Sequence, residues 1–485
     1  MSTIQPTASL MFAVAVLAAA GCGERGPETL VAERPNIVLI TLDTTRADHL
    51  GTYGYFRDTS PHFDAFAAEA ITFERLIVPI ATTLPSHLSI LTSSHPLEHG
   101  VLANATQGGK RFVPAPELVS FAMVAREAGY ATAAFVSAAP LKRGSGIEVG
   151  FDTFDQPEDK QRQGEHTASA AIAWLDSLAA DQPFFLWVHL YDAHFPFEPL
   201  PPYRGRFQLD AALEAFIAQR EIHATAPRAL VGAFDTARST TNDYDAELLY
   251  QDFQLGRLLD ALRAHGDGAW QRTAVVVAGD HGEGLCQHGE AAHGSTWTEQ
   301  LRAPLVIRIP GEPPRRIDTL LTSADILPSL LSRLGVAEFD EFLGKALGRD
   351  VFAPGFRAAP ILSQDTGRER DEPLKYALTD ESFKYFRIEL DDERVEEWLF
   401  DLDVDPYELR DVSQTHTEVL ESLRERTLAL IAARRERGLL LRRGAAEVVD
   451  GGLDPQRLRE LCALGYLEPA RCSEFEDSSP SDDDS

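Results

Sequence analysis

At 485 residues the chain is long enough for one large domain with a smaller one, or for two unequal domains. Its apolar fraction of 44% and charged fraction of 25% are those of an ordinary globular protein, but the net charge of −30 is not. Such acidity argues against a nucleic-acid-binding surface, because phosphate backbones are held by Lys and Arg; it favours solubility and names no partner.

The chain opens on an apolar stretch, Leu10 to Ala20, shorter than the roughly 20 residues a membrane-spanning helix needs. It ends in Ala19-Ala20-Gly21-Cys22, small residues before a cysteine, the pattern of an export signal's cleavage site. The sequence resembles a bacterial lipobox, which makes Cys22 the lipidated N-terminus and the membrane attachment. The missing Lys or Arg near the start leaves a plain cleaved signal peptide as the alternative. Residues 1–22 are therefore read as a signal peptide, 23–33 as a tether, and the location as the cell envelope or periplasm. Of the other cysteines, Cys286, Cys462 and Cys472 fit no zinc module; a Cys462–Cys472 bridge is open.

From Pro35 the pattern is that of a folded domain. Ile37 to Leu42 is a continuous apolar, β-branched run, as expected of a strand buried on both faces. Similar runs recur at Ala131 to Val136, Pro183 to Leu190, Thr273 to Ala278 and Ala303 to Ile309. Amphipathic stretches lie between them, at Pro61 to Ala70, Pro116 to Ala128, Ala168 to Ala179 and Tyr244 to Ala264. This alternation predicts an α/β domain over 34–354, a large, mostly parallel sheet flanked by helices. Beyond it, Lys384 to Leu390 and Glu397 to Asp401 read as half-polar strands joined by a charged turn, followed by a helix over Thr417 to Arg437. Residues 355–468 are thus expected to form a smaller antiparallel sheet plus helix. The acidic tail, 469–485, is too poor in apolar residues to build a core and is expected to be disordered.

Ligand sites in open α/β sheets gather at the carboxyl ends of the strands. Three of the strongest strands here end in residues suited to metal or anion chemistry: the first in Asp43, the second in Asp192 and His194, the third in Asp280-His281. Any one such Asp is as readily a helix cap or turn residue; three converging ends favour a site. The segment Ala81-Thr82-Thr83-Leu84-Pro85-Ser86-His87 reads as a helix start, with Thr83 near the cap and Pro85 in the first turn. A helix N-terminus stabilises a bound anion, although Thr83 taken alone is as well explained as a cap.

These motifs together resemble the sulfatase family of the alkaline phosphatase superfamily. Arg34 to Asp43, with Arg46 to Gly54 after it, is similar to the family's opening. Thr83-Leu-Pro-Ser-His87 lies where sulfatases carry Cys-or-Ser-x-Pro-Ser-Arg. Glu127 to Phe135 and Gly150 to Phe154 resemble further family segments. Gly279-Asp-His-Gly-Glu283, His288-Gly-Glu290 and His293-Gly294 resemble the metal-binding segment, and Ser323 to Pro328 and Leu399 to Pro406 the later landmarks.

The resemblance implies that Asp43, Asp280, His281 and Thr83 bind a divalent cation, with Mn, Zn and Ca all compatible. His194 would protonate the leaving group or bind the ester oxygen, and His293 and Asn104 would hold the transferred group. His288 and His99 are weaker candidates. Thr83 is the departure: usual sulfatases oxidise a Cys or Ser here to formylglycine, and threonine cannot follow that route. Its single hydroxyl must act as a plain nucleophile activated by the metal. The resulting expectation is a hydrolase of phosphate, phosphonate or sulfate esters, acting on a small-molecule, glycan or lipid substrate. A transferase to an envelope alcohol and a catalytically idle binding protein are the alternatives.

Overall fold

The computed structural model describes residues 34–104, 115–221, 233–290, 292–365, 374–390 and 394–442, together with Gln456, Arg459, Glu460 and Cys462. The expected signal peptide, Cys22, the tether and the acidic tail lie outside the described residues. Cys462 is disulfide-bonded; Cys472 lies outside the described residues.

The apolar runs form a sheet of eight strands: β1 (Asn36–Leu42), β2 (Ile71–Ile77), β3 (Ala131–Phe135), β4 (Thr153–Asp155), β5 (Phe184–Leu190), β6 (Thr273–Gly279), β7 (Arg302–Arg308) and β8 (Arg315–Leu321). Their order is β4-β3-β5-β1-β6-β7-β2-β8. The strands from β4 to β6 pair in parallel, and β2 pairs in parallel with β8. Only β7 runs against its neighbours. Strands β1, β5 and β6 are buried along their whole length, because each sends alternate side chains into two cores. Ile37, Leu39, Trp187 and Val276 enter one of these cores. Val38, Ile40, Leu186 and Val277 enter the other. A strand with apolar partners on both faces has no need of polar alternation.

The helices are α1 (Pro61–Ala67), α2 (Thr83–Thr92), α3 (Pro96–His99), α4 (Phe121–Glu127), α5 (Gly164–Ser177), α6 (Ala211–Glu221), α7 (Ala233–Ala264), α8 (Thr298–Leu301), α9 (Ile326–Leu334), α10 (Asp340–Lys345) and α11 (Thr417–Leu441). Helix α4 starts later than the apolar pattern suggests, because Ser120 accepts the Ala122 N–H and caps it there. Helix α2 is buried at every residue.

The second sheet has four antiparallel strands, β9 (Ile361–Gln364), β10 (Leu374–Thr379), β11 (Phe383–Glu389) and β12 (Val395–Asp401), in the order β12-β11-β10-β9. Its inner side chains, Leu362, Leu378, Tyr385 and Leu399, pack with Leu423 and Ile431 of α11. Two main-chain acceptors tie it to the segment after β2. The Gln364 N–H donates to the Pro79 carbonyl at 2.9 Å, and the Ser363 hydroxyl donates to the Val78 carbonyl at 2.9 Å. No helix among the described residues is long and apolar enough to cross a membrane.

Candidate metal centre and nucleophile

Strands β1 and β6 are in register from Asn36–Thr273 to Leu42–Gly279, so Asp43 and Asp280 emerge side by side at their carboxyl ends. The chain then turns sharply at Thr44, whose φ of 50° is unusual for a β-branched residue. Two contacts hold that turn: the Thr44 hydroxyl donates to the Ala193 carbonyl at 2.7 Å, and its N–H donates to Asp280 Oδ1 at 3.1 Å. The His281 N–H donates to the same oxygen at 2.8 Å. Gly282 is required next, since a Cβ there would come within 2.1 Å of the Glu299 carbonyl oxygen.

Each member of the cluster has one atom occupied and one left over. His189 Nδ1 accepts the Ser137 N–H, so its Nε2–H donates to Asp43 Oδ2 at 2.9 Å. Asp43 Oδ1 has no hydrogen-bond partner among the described residues. Asp280 spends Oδ1 on two backbone N–H groups, and its Oδ2 is unpartnered. His281 donates Nδ1–H to the Gly282 carbonyl at 2.9 Å, which fixes the tautomer and leaves Nε2 as a bare lone pair. All three residues are fully buried, and their ligand atoms lie within 4.8 Å of one another.

Buried polar atoms without partners cost free energy, and two carboxyls beside a neutral imidazole form a donor set for a divalent cation. Burial pushes both carboxyls up, and the neighbouring Asp43 raises Asp280 further. Burial, then His293, holds His281 well below the usual histidine range, so it is a neutral ligand. The Thr83 side chain stands against the Asp43 carboxylate and lowers its pKa as a hydrogen-bond donor. All four expected metal-centre residues therefore come together.

Thr83 is the first residue of α2, with Thr82 as the cap position. The Leu84 N–H donates to Asn104 Oδ1 at 2.8 Å, and Pro85 has no N–H to give. The helix start is thus less rich in free donors than its sequence suggests. What it presents is Asn104 Nδ2, buried and unpartnered among the described residues. The other two expected residues extend the site as a row of rings. His281 stacks on His293 at 4.5 Å between centroids, His293 meets His194 at 5.0 Å, and His194 stacks on Tyr191 at 4.3 Å. His293 Nδ1 lies 3.4 Å from Glu283 Oε2, and His194 Nδ1 donates to the Phe195 carbonyl. Burial, then His293, keeps His194 neutral.

Three residues read as candidates fall elsewhere. Asp192 is a helix cap: its Oδ1 accepts the Gly164 N–H at 2.8 Å at the start of α5. His99 accepts the Val101 N–H on Nδ1 and reaches the Ser89 hydroxyl through Nε2. His288 Nδ1 bonds Glu299 at 2.9 Å, and its ring stacks on Trp297 at 3.9 Å. The residue that sequence reasoning missed is His189, although one histidine in the otherwise apolar run Phe184–Leu190 was a signal that could have been weighed. His87 also has a place: its Nδ1 bonds the Thr83 carbonyl at 2.7 Å and its Nε2 the Thr41 hydroxyl at 2.9 Å.

Residues 35–336 match the family model described as sulfatase, and the chain belongs to the sulfatase family. It is similar to an ulvan-active sulfatase of Formosa agariphila, 25% identical over 66% of this chain and 66% of that one. It is 22% identical to an arylsulfatase of Clostridium perfringens over 83% of this chain and 95% of that one.

 An N-acetylgalactosamine-6-O-sulfatase of Bacteroides thetaiotaomicron is likewise 22% identical, over 81% of this chain and 92% of that one. Among solved structures, the phosphonate monoester hydrolase of Agrobacterium radiobacter shares the fold, with a TM-score of 0.64 and 22% identity over 83% of this chain and 96% of that one.

Proposed function

We propose that the chain is a metal-dependent hydrolase of phosphate or phosphonate esters, with Thr83 Oγ1 as the nucleophile. The observation that carries this reading is the convergence of three buried ligand atoms, Asp43 Oδ1, Asp280 Oδ2 and His281 Nε2, unpartnered among the described residues, beside the Thr83 side chain. Those atoms would hold a divalent cation, which supplies charge compensation for the transferring group and lowers the pKa of a hydroxyl facing it. His189 and the two N–H groups on Asp280 keep the carboxylates turned so that one oxygen of each is left over.

Attack by the Thr83 oxygen on the central atom breaks the bond to the leaving alcohol and leaves an ester on Thr83. Water attacks the same central atom, releases the acid and restores the hydroxyl. Threonine carries one hydroxyl, so its ester cannot be cleared by forming a carbonyl at Cβ; that restriction suits phosphorus better than sulfur. Asn104 Nδ2 and His293 would hold non-bridging oxygens. His194 has its Nδ1 proton fixed by the Phe195 carbonyl. The negative charge of a bound ester favours a second proton on its other nitrogen, for delivery to the leaving oxygen.

Hydrolysis of sulfate esters is the second reading, and the names of the curated relatives favour it. Turnover of aryl phosphate, aryl phosphonate and aryl sulfate monoesters, each with Mn, Zn, Ca or chelator, decides between the two. Phosphorus esters turned over fastest, with loss on chelation, is the expected result. Turnover of sulfate alone would replace it with the second reading, and turnover of none would leave a binding protein. Export and lipid attachment through Cys22 complete the proposal; retention of a Cys22→Ala variant in the membrane fraction would remove the lipid.

A further inference from the structure

A cavity of about 510 Å³ is lined by none of Asp43, Thr83, Asp280 and His281. Its size falls in the roughly 300–1,000 Å³ range of small-molecule clefts. Four stretches of chain build it: the loop from Arg46 to Phe56, helix α6, the segment from Gln287 to Arg302, and Pro406-Tyr407. The Arg46 guanidinium in its lining donates Nη1–H to the Glu283 carbonyl at 3.2 Å.

Among the described residues, the lining carries polar groups with bonding capacity left over. Glu299 accepts from His288 on Oε1, but its Oε2 is buried and has no partner among the described residues. Glu299 is 6% exposed, so that oxygen is a desolvated acceptor in search of a donor. Arg220 spends Nε on Asp48 and Nη1 on the Phe216 carbonyl, which leaves Nη2. Arg302 spends Nε and Nη2 on the Glu74 carbonyl, which leaves Nη1. Gln287 accepts from Arg46 through Oε1, and its amide N–H groups remain.

The apolar part of the lining is aromatic. The Arg220 guanidinium lies between the Phe216 ring, 3.4 Å from its centroid, and the Tyr407 ring at 4.5 Å, a sandwich that holds the cation in place before any ligand arrives. Phe56, 41% exposed, forms a lip 5.8 Å from Phe216 between centroids. Arg46, Arg220 and Arg302 face Asp48 and Glu299 in the lining, an excess of one positive charge in a chain whose net charge is −30. Alternating donors and acceptors beside aromatic faces suit a polyhydroxylated ring. A single excess positive charge suits one anionic substituent, whereas the two carboxylates repel a compact multivalent anion.

We propose that this cavity binds a pyranose ring bearing one anionic substituent, at a site separate from Thr83 and its metal ligands. The assignment does not depend on Thr83 being a nucleophile. Calorimetric titration of the full chain with glucuronate, glucose and inorganic sulfate tests it. Glucuronate should bind, glucose should bind about tenfold more weakly, and sulfate should give no saturable heat. Tyr407→Ala and Phe56→Ala should each weaken glucuronate about tenfold, and Thr83→Ala should leave its binding unchanged. Arg220→Met should abolish it; because Arg220 also braces Asp48, a lowered thermal midpoint in that variant leaves the decision to the Tyr407 and Phe56 variants. Absence of glucuronate binding, equal binding of glucose or sulfate, or loss of binding in Thr83→Ala would each overturn the proposal.

Discussion

Asp43 and Asp192 stand at the same edge of one sheet, just past the ends of neighbouring parallel strands, yet they do different work. The two ends touch, since the Asp43 N–H donates to the Leu190 carbonyl at 2.9 Å. Burial raises both carboxyls, and each has one buried oxygen without a partner among the described residues. The surroundings differ. Asp43 faces Asp280, His281 and the Thr83 side chain, whereas Asp192 faces the first turn of a helix and holds the Gly164 N–H. Residue type, a raised carboxyl and a spare oxygen are common to both; only convergence of further donors separates a cation ligand from a cap.

The sharpest way to break this comparison is to remove the group that gives the Asp43 side its chemistry. Thr83→Ala should lower turnover by at least about 10³-fold while leaving the thermal midpoint near that of the parent. Retained turnover would take Thr83 out of the mechanism. Next in size, Asp280→Asn should lose bound metal and rate together, whereas the matching change at Asp192 should leave metal content untouched; elemental analysis of the two purified variants distinguishes them. His189→Ala should weaken metal affinity by about 10- to 100-fold, because Asp43 Oδ2 loses the N–H that orients it. Metal affinity equal to the parent's would make His189 a packing residue only. His194→Ala should slow esters of poor leaving groups by about 10²-fold or more and spare activated aryl esters; equal losses on both would deny it the leaving-group role.

The sequence made the central sheet legible because strands buried on both faces leave a continuous apolar signature, as Ile37 to Leu42 and Thr273 to Ala278 do. Strand β8, Arg315–Leu321, was missed because its first five residues alternate between half-buried and exposed. Strand β2, with Glu74 and Arg75 in its middle, hid for a similar reason. At the centre, the motifs named Asp43, Thr83, Asp280 and His281, and their side chains meet. His189 escaped because its role depends on a neighbour, Ser137, whose N–H selects the tautomer. Nothing in the sequence around either residue announces that pairing. Asp192 misled for the converse reason: at a strand end, cap and ligand are the same letter until the partner of each oxygen is known.

The smallest effect probes that ambiguity through pH. Burial raises the Asp192 carboxyl from 3.8 to about 7. The folded chain therefore holds this proton where the unfolded chain has already released it. The group's contribution to stability is full below about pH 4 and is lost as pH rises through 7. Asp192→Asn keeps an oxygen for the Gly164 N–H and has no proton to lose, so its stability relative to the parent should rise between pH 4 and pH 8. Urea denaturation at several pH values measures that difference. Parallel curves would show that Asp192 is ionised in the folded chain, and the contrast with Asp43 would then rest on geometry alone.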